Sequence, residues 1–399
     1  MKKIILILGI IFLLIGISIN PSSGINIDKK SIKIMSEGKT LFVGGSGPNN
    51  YTTIQEAIND AVDGDTVFVY DDSSPYYENI IIDKSISLIG ENRNTTVIDG
   101  NYIGNVIEII ADKIIVSGFT IKNVKYHNEN DYKYNVIKCE NCSNIIITNN
   151  RISIGLLEVV KETAGICLKT SSFNLINNNI FFEKNLSFNI IAVEITDNSH
   201  DNNISTNVMS YYYEGVRLEK NCYDNIIIYN NIYNSICFCI VKGANNKILS
   251  NKVNNTYCGA IFIDGDSNVI SNNILIYSRE LGSIYIKGSK NIISRNCIER
   301  NDCGLWLENA EENIIMMNNF IQNMDDVTTY VWGYASKFPK KNQFKWNYWS
   351  GHLNRLPKII IGLGILIIID QGFEFIYIQV DWYPVTKPYD ITNPHSYDI

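Results

Sequence analysis

A short phrase of sequence recurs along this 399-residue chain and limits the folds that it can adopt. The phrase is an aliphatic residue, an asparagine three positions later and an apolar residue two positions after that. It occurs as Ile147/Asn150/Ile152, Leu175/Asn178/Ile180, Ile204/Asn207/Met209, Ile227/Asn230/Ile232, Ile248/Asn251/Val253, Val269/Asn272/Ile274, Ile293/Asn296/Ile298 and Ile315/Asn318/Phe320. From Asn207 onward the asparagines recur every 21 to 24 positions, which predicts a solenoid. Earlier the interval is 28 or 29 positions, which predicts inserted loops.

Within each repeat the apolar residues alternate, as in Ile261/Ile263 and Ile284/Ile286, so these segments are predicted strands with one buried face. No helical pattern lies between them. Successive turns of chain are therefore expected to stack as parallel strands about 4.8 Å apart. We predict an all-β fold, a single-stranded right-handed parallel β-helix.

The repeated asparagine suits a tight bend, because it tolerates left-handed backbone angles and its amide can bond to the next asparagine in a ladder. A residue that every coil requires belongs to the scaffold. We therefore assign the asparagines a structural role and look for function elsewhere.

Both ends of the chain carry distinct signals. Lys2 and Lys3 followed by the apolar run 4–19 are typical of a secretory signal, either cleaved near 22–24 or retained as an anchor, so export is predicted in both cases. Next, Thr53-Ile-Gln-Glu56 predicts a capping box for a helix that ends at Gly64 and covers the N-terminal end of the solenoid.

The apolar run 359–369 is too short to span a membrane as a helix and is predicted to be a buried strand of a C-terminal cap. The predicted organisation is a signal or anchor (1–24), an N-terminal strand and capping helix (25–65), β-helix repeats (66–330) and a C-terminal cap (331–399). The net charge of −7 argues against a nucleic-acid-binding surface.

The segments LFVGGSGPNNYTTIQEAINDAVDGDTVFV, YYENIIIDKSISLIGENRNTTVIDG and VSGFTIKN resemble the opening coils of the NosD-type parallel β-helix proteins of archaea and bacteria, in the pectin-lyase-like group. Asn347-Tyr348-Trp349 and Asp381-Trp382-Tyr383-Pro384 are similar to the closing segment of archaeal members. The resemblance covers roughly 41–330 and implies the fold. It implies no single activity, since the group includes lyases, glycosidases and copper-site maturation proteins.

Aligning the coils reveals a column of polar residues that follow the paired apolar positions of each strand. The column is Glu140, Lys169, Thr196, Glu219, Lys242, Asp264, Lys287 and Glu308. From Glu219 onward the sign of the charge alternates from coil to coil. Opposite charges on neighbouring parallel strands attract, so we predict a charge ladder that fixes the register of the coils.

Three aromatic residues occupy one outward position on successive coils. They are Phe262, Tyr285 and Trp306, with Asp264, Lys287 and Glu308 two positions further on. Flat aromatic rings beside hydrogen-bonding charges can stack on sugar rings. These six residues are the candidate glycan-binding site. The alternative is an aromatic ladder packed under a loop.

Evidence for an enzyme is weaker, because the paired-aspartate, Gly-His-Gly and Arg-x-Lys motifs of the group's glycosidases do not occur. Asp71-Asp72 and Asp325-Asp326 are adjacent pairs, whose side chains point to opposite faces of a strand. A lyase needs acids for Ca²⁺ and a basic residue. The candidates are Asp197/Asp201 and Asp264/Asp266, near Arg217 or Lys242.

Copper binding depends on suitable ligands. His127, His200, His352 and His395 share no metal-binding spacing. Cys139-x-x-Cys142 and Cys237-x-Cys239 are possible soft-metal pairs, but buried cysteines more often serve as small core residues. We predict no resident cofactor, with Ca²⁺ or copper as the alternatives.

The sequence thus favours an exported, non-catalytic β-helix that binds glycans or cell-envelope proteins along one sheet face. It contacts membrane only if the N-terminal segment is retained. The alternatives are a polysaccharide lyase or glycosidase and a NosD-like copper-site maturation protein.

Overall fold

The computed structural model describes residues 38–125, 133–155, 162–184, 186, 188–334, 340–352, 356–368 and 371–391. The predicted signal segment lies outside these residues. Within them are a single short helix, α1 (Ile54–Asp60), and strands that we number β1 to β38 in chain order. No helix among the described residues is long and apolar enough to cross a membrane.

The strands form three ladders of parallel pairs, and a typical coil contributes one strand to each. Sheet 1 contains β4 (Ile80–Ile82), β7 (Ile107–Ile109), β10 (Ile137–Glu140), β13 (Thr163–Lys169), β16 (Ile190–Thr196), β19 (Glu214–Leu218), β22 (Cys237–Val241), β25 (Ile261–Ile263), β28 (Ile284–Ile286), β31 (Cys303–Glu308), β34 (Asp325–Tyr334) and β37 (Lys358–Ile368). Sheet 2 contains β1 (Thr40–Val43), β2 (Thr66–Val69), β5 (Ser87–Gly90), β8 (Ile115–Ser117), β11 (Ile146–Thr148), β14 (Leu175–Asn177), β17 (Asn203–Ser205), β20 (Ile226–Ile228), β23 (Lys247–Leu249), β26 (Val269–Ser271), β29 (Ile292–Ser294), β32 (Ile314–Met316), β35 (Gln343–Lys345) and β38 (Gln371–Asp381). Sheet 3 contains β3 (Tyr76–Tyr77), β6 (Val97–Asp99), β9 (Thr120–Lys122), β12 (Arg151–Ser153), β15 (Ile180–Phe182), β18 (Val208–Ser210), β21 (Asn231–Ser235), β24 (Lys252–Thr256), β27 (Ile274–Ser278), β30 (Cys297–Glu299), β33 (Asn319–Ile321) and β36 (Tyr348–Trp349).

This architecture is a right-handed parallel β-helix, as predicted. Its core is a stack of equivalent aliphatic positions, one from each coil. On sheet 1, for example, Ile261 pairs with Ile284, which belongs to the next coil, and both are fully buried. Burying one such side chain contributes roughly 1.5–3 kcal/mol. Because the contribution repeats at each coil, the core extends along the whole solenoid.

The predicted asparagine ladder is present and buried. Asn207 donates from its amide nitrogen to Asn230 Oδ1 at 3.0 Å and to the Ile176 carbonyl at 2.9 Å. The ladder consists of Asn150, Asn179, Asn207, Asn230, Asn251, Asn273, Asn296, Asn318 and Asn347. Two predicted members, Asn178 and Asn272, were therefore wrong by one position.

The left-handed conformation belongs to the residue before the ladder asparagine. Asn178 and Asn272 occupy that preceding position, with φ of 54° and 58°, and Thr206 and Tyr229 have similar angles. A second buried ladder, at the bend between sheets 1 and 2, runs Asn174, Asn202, Asn225, Asn246, Asn268, Asn291, Asn313 and Asn342. The left-handed bend and the amide ladder, both predicted for one asparagine, therefore belong to two neighbouring residues.

The predicted N-terminal helix is confirmed but shorter than expected. The Thr53 hydroxyl accepts from the Glu56 backbone N–H at 3.3 Å, as in the predicted cap. The Glu78 carboxylate accepts from the backbone N–H groups of Ile54 and Gln55 at 2.9 and 3.0 Å. The helix ends at Asp60 rather than near Gly64. Its predicted apolar side joins the core: Ile54, Ala57, Ile58 and Ala61 are buried.

At the C-terminal end, β37 and β38 form an antiparallel hairpin that joins sheets 1 and 2. Gln379 accepts from the Asn342 backbone N–H at 3.1 Å, and Asp381 Oδ2 accepts from the Asn347 amide at 3.1 Å. The hairpin therefore terminates both asparagine ladders. The predicted strand is confirmed, but it is not buried on both faces: Ile360 is buried, whereas Ile359, Ile361 and Leu363 are exposed.

Candidate functional site

One outward-facing residue from each of nine successive coils of sheet 1 lines up along the solenoid. We call this row the outer column; it consists of Glu108, Lys138, Cys167, Glu194, Arg217, Ile240, Phe262, Tyr285 and Trp306. The first five members are four charged residues and a cysteine, and the last three are aromatic. The column therefore has a charged half and an aromatic half.

In the aromatic half, the three predicted rings contact one another. The ring centroids of Phe262 and Tyr285 are 5.3 Å apart, and those of Tyr285 and Trp306 are 6.4 Å apart, with tilts of 36° and 34°. Each ring is half-buried. The turns at Gly259 and Gly282 pass close to Phe262 and Trp306, where an added Cβ would lie 3.1 and 2.9 Å from their side chains. The rings are thus held in place by both their neighbours and the adjacent turns.

Charged side chains line the aromatic half on one side. Lys287 Nζ lies 3.3 Å from Glu308 Oε1 and 5.6 Å from the centre of the Tyr285 ring. The Tyr285 hydroxyl donates to Glu308. Burial, followed by this carboxylate, raises the pKa of Tyr285 to about 12, so the phenol stays protonated. Asp264 is exposed and makes no ion pair with the described residues.

The predicted charge ladder forms pairs rather than a continuous chain. Lys169 lies 2.8 Å from Glu140, and Lys242 lies 3.0 Å from Glu219. Hydrogen bonds from Lys138 and Lys169 lower the pKa of Glu140 to about 2. Each close contact joins residues of neighbouring coils, as expected for a device that fixes register.

The charged half borders a cleft of about 530 Å³. Lys133, which lies in the connection between β9 and β10, contacts both oxygens of the buried Glu194 at 2.6 Å. Lys138 bridges Glu108 at 3.1 Å and Glu140 at 2.6 Å. The Cys167 thiol lies 3.4 Å from Glu194, and burial raises the pKa of that thiol well above its usual range. Carboxylates and lysines thus converge here, on the same sheet face as the aromatic rings.

Arg217 closes the charged half toward the aromatic residues. It is 6 % exposed, and its guanidinium contacts Glu214 and Glu162 at 2.5 Å each. Burial opposes the charged form of Arg217, but these two carboxylates raise its pKa. Because the guanidinium is held between acids, Arg217 cannot act as the free base that a lyase requires.

Glu183 anchors the start of the connection that supplies Glu162. Its carboxylate accepts from the Ile154 backbone N–H at 2.5 Å, from the Ser153 hydroxyl at 3.2 Å and from the Tyr212 hydroxyl at 3.3 Å. Burial raises the pKa of Glu183 to about 7, although these donors favour the ionised form. Glu183 therefore changes charge near neutral pH.

Sequence reasoning missed the cleft. It identified Phe262, Tyr285 and Trp306 as one outward position but did not follow that position back to Arg217 and Glu194. Extending the same alignment back by six coils, from Phe262 to Glu108, finds the charged half. Lys133 and Glu162 carry no such signal, because they lie in the connections that lengthen these coils.

The other acidic candidates do not converge on a site. Asp71 accepts from the Thr95 hydroxyl at 2.6 Å, and Asp72 accepts from the Gly45 backbone N–H at 2.9 Å, so both stabilise turns. Asp326 pairs with Lys358 at 3.3 Å. Of the lyase candidates, Asp197 lines the cleft.

The residues proposed for copper are also dispersed. Cys139 and Cys142 lie in the hydrophobic core, where burial raises the pKa of both thiols. All nine cysteines fall within the described residues and are free thiols. The described residues contain no group of three or more His, Cys, Asp or Glu side chains placed to hold a metal ion. His127 and His395 lie outside them. The described donors therefore do not fit a copper site.

A protein-family model described as periplasmic copper-binding protein (NosD) matches residues 235–355. This part of the chain is therefore similar to the NosD family. This segment spans the aromatic half of the outer column and the coils that follow it. No curated protein sequence matches the chain significantly.

The chain is also similar in fold to solved β-helix structures. DFA-IIIase from Arthrobacter chlorophenolicus A6 in complex with GF2 matches with a TM-score of 0.58 and 12 % identity, covering 78 % of this chain and 94 % of the other. The complex of XylC with xylose matches with a TM-score of 0.56 and 9 % identity, covering 77 % and 83 %. At these identities the similarity establishes the fold alone.

Proposed function

We propose that this protein binds an oligosaccharide or polysaccharide along the outer face of sheet 1. The observation that carries the proposal is the continuity of the outer column, in which the aromatic rings lead along one face to the charged cleft. Sugar recognition needs apolar surface for the ring C–H groups and charged partners for the hydroxyl groups. The aromatic half of the column supplies the apolar surface, and the charged half supplies the charged partners.

The repeating geometry suits an extended polymer. Equivalent positions on sheet 1 recur at each coil, about 4.8 Å apart, so a chain lying along the solenoid meets similar contacts repeatedly. Sugar complexes of the DFA-IIIase and XylC structures support the choice of ligand class, since both have the same fold. We further propose that the protein is exported through residues 1–24, which agrees with the periplasmic description of the matched family.

The proposal is tested by replacing Trp306. Trp306→Ala should weaken retention on the bound polysaccharide at least tenfold, because one ring of the column is lost. Trp346→Ala is the matched control, since Trp346 is exposed on a turn after sheet 2 and should have no effect. Glycan-array screening identifies the ligand, and affinity electrophoresis measures retention. Equal retention by Trp306→Ala and the unaltered protein would refute glycan binding at this face.

Catalysis is the second candidate, and the cleft is the observation that favours it. Glu194 is a buried carboxylate that contacts Lys133, and Lys138 lines the same cleft, so carboxylate and ammonium groups converge there. Assays for new reducing ends and for unsaturated sugars on each bound glycan distinguish hydrolysis and elimination from binding alone. If turnover occurs, Glu194→Gln should abolish it and leave retention intact.

A further inference from the structure

The cations on the outer face of sheet 1 are already paired with carboxylates of the protein. Each has a carboxylate oxygen within 3.3 Å, with contacts ranging from 2.5 Å at Arg217 to 3.3 Å at Lys287. An anionic ligand therefore gains a cation here only by displacing an acidic side chain. The paired cations of the outer column, the charge ladder and the connection before β10 are Lys133, Lys138, Lys169, Arg217, Lys242 and Lys287.

The ion-pair network beside the cleft contains more acids than cations. Lys138 and Lys169 share the carboxylate of Glu140 at 2.6 and 2.8 Å. Glu108 lies 3.1 Å from Lys138 at one end of the network, and Asp197 lies 3.9 Å from Lys169 at the other. Because three carboxylates accompany two lysines, this part of the face has a net negative charge.

A second network, around Arg217, has the same imbalance. Arg217 contacts Glu162 and Glu214 at 2.5 Å each and lies 3.9 Å from Glu219. Glu219 in turn lies 3.0 Å from Lys242. Three carboxylates thus accompany two cations here as well. The surplus of negative charge therefore continues along the charged half toward the aromatic rings.

In the aromatic half the surplus charge belongs to Asp264. Lys287 is paired with Glu308, whereas Asp264 is exposed and makes no ion pair with the described residues. Asp264 directly follows β25, two positions after Phe262, so it lies at the edge of the row of rings. A ligand that stacks on these rings therefore meets an exposed carboxylate.

The turn before Gly282 adds no net positive charge. Arg279 is exposed on this turn, and its carbonyl accepts from the Gly259 backbone N–H at 3.1 Å. Glu280 follows it directly, and the Glu280 backbone N–H donates to the Asp302 carboxylate at 3.1 Å. Arg279 is thus accompanied by two acids.

We infer that the outer face of sheet 1 selects uncharged glycans and that Asp264 is a specificity-determining residue. The inference rests on the glycan binding proposed above. Carboxylate oxygens accept hydrogen bonds from sugar hydroxyl groups, so a neutral sugar satisfies this acidic face. A uronic acid or a sulfated sugar brings a second anion to the same place. Like charges that meet across an interface oppose binding and exclude the wrong ligand.

The test compares polysaccharides that differ only in charge. The probes are polygalacturonate, alginate and hyaluronate, each beside its carboxyl-reduced neutral form, together with neutral glucan, mannan and xylan. Affinity electrophoresis of the full chain should show retention by uncharged members of this panel. Stronger retention by an acidic polymer than by its reduced form overturns the inference and leaves glycan binding intact. Absence of retention by every polymer overturns both proposals.

Substitution of Asp264 tests its own role. Asp264→Lys should raise retention by the acidic polymers at least about fivefold, the factor for unit charges about 4 Å apart in water. Asp264→Asn, which removes the charge but keeps an acceptor oxygen, should give a smaller rise. Asp224→Lys is the matched control, because it makes the same charge change at an exposed aspartate on the turn before β20. Equal retention of the acidic polymers by Asp264→Lys and Asp224→Lys overturns the role of Asp264.

Discussion

The charged and aromatic halves of the outer column occupy the same strand positions, but they are covered differently. In the charged half, Glu108, Lys138, Cys167 and Glu194 are 27 to 30 residues apart, and the connections between them contribute Lys133 and Glu162. Later coils are 21 to 24 residues long, and only their own turns adjoin Phe262 and Trp306. Coil length therefore decides which part of the face is enclosed and which part stays accessible.

Burial changes the energetic role of charge in the two halves. Glu194 and Arg217 are almost fully buried, so each needs a partner at hydrogen-bond distance to offset its lost hydration. Lys287 is exposed, and its ion pair with Glu308 is weakened by water. Ion pairing is therefore essential for stability in the charged half, whereas in the aromatic half it contributes little.

The largest expected effect comes from removing the buried cation. Arg217→Met leaves Glu214 and Glu162 without their partner, and Glu214 is only 2 % exposed. We expect the free energy of unfolding to fall by about 3–5 kcal/mol, because an uncompensated charge remains buried. Urea unfolding followed by circular dichroism measures it.

The matched control for Arg217 is Lys242→Met, which breaks the half-exposed pair with Glu219. This change should lower the free energy of unfolding by less than about 1 kcal/mol. Similar losses for the two variants would contradict the contrast between an enclosed charged half and an open aromatic half.

A smaller effect is expected from Glu183, which accepts from the Ile154 backbone N–H at the start of the connection that supplies Glu162. Its pKa of about 7 in the folded protein lies above the ordinary value of 4.5. The protonated carboxyl therefore contributes stability that is complete below about pH 4.5 and is lost as pH rises through 7. Over this pH range the free energy of unfolding should fall by roughly 1–3 kcal/mol.

Glu183→Gln isolates this titration, since the amide stays neutral at every pH. Melting temperatures of the two proteins should be closest near pH 4.5, and the unaltered protein should fall further below the variant by pH 8. Parallel melting curves across that range would show that Glu183 titrates normally.

The sequence predicted the fold, the register and the asparagine ladder far better than the charged half of the outer column. Each coil must close its bend with the same buried amide, so the asparagine period predicts the fold and the register. The one-position errors at Asn178 and Asn272 arise because each adjoins the true ladder residue, and a period cannot choose between adjacent asparagines. Outward positions obey no such constraint, and contacts such as Lys133 with Glu194 depend on where a long connection folds.

The smallest effect concerns the exposed charges beside the aromatic rings. Lys287→Glu replaces attraction to Glu308 with repulsion and removes the cation over the Tyr285 ring. Because these groups are solvated, we expect the free energy of unfolding to fall by only about 0.5–1 kcal/mol, which is measured as a lower melting temperature.

Lys247→Glu provides the control, since Lys247 is an exposed lysine on sheet 2 outside the charge ladder. Equal melting temperatures for the two variants would refute the ladder and leave Lys287 free to serve a ligand instead. Salt offers an independent check, because exposed ion pairs weaken as ionic strength rises. Raising the salt concentration should shrink the deficit of Lys287→Glu more than that of Arg217→Met, because Arg217 and Glu214 are buried away from solvent ions.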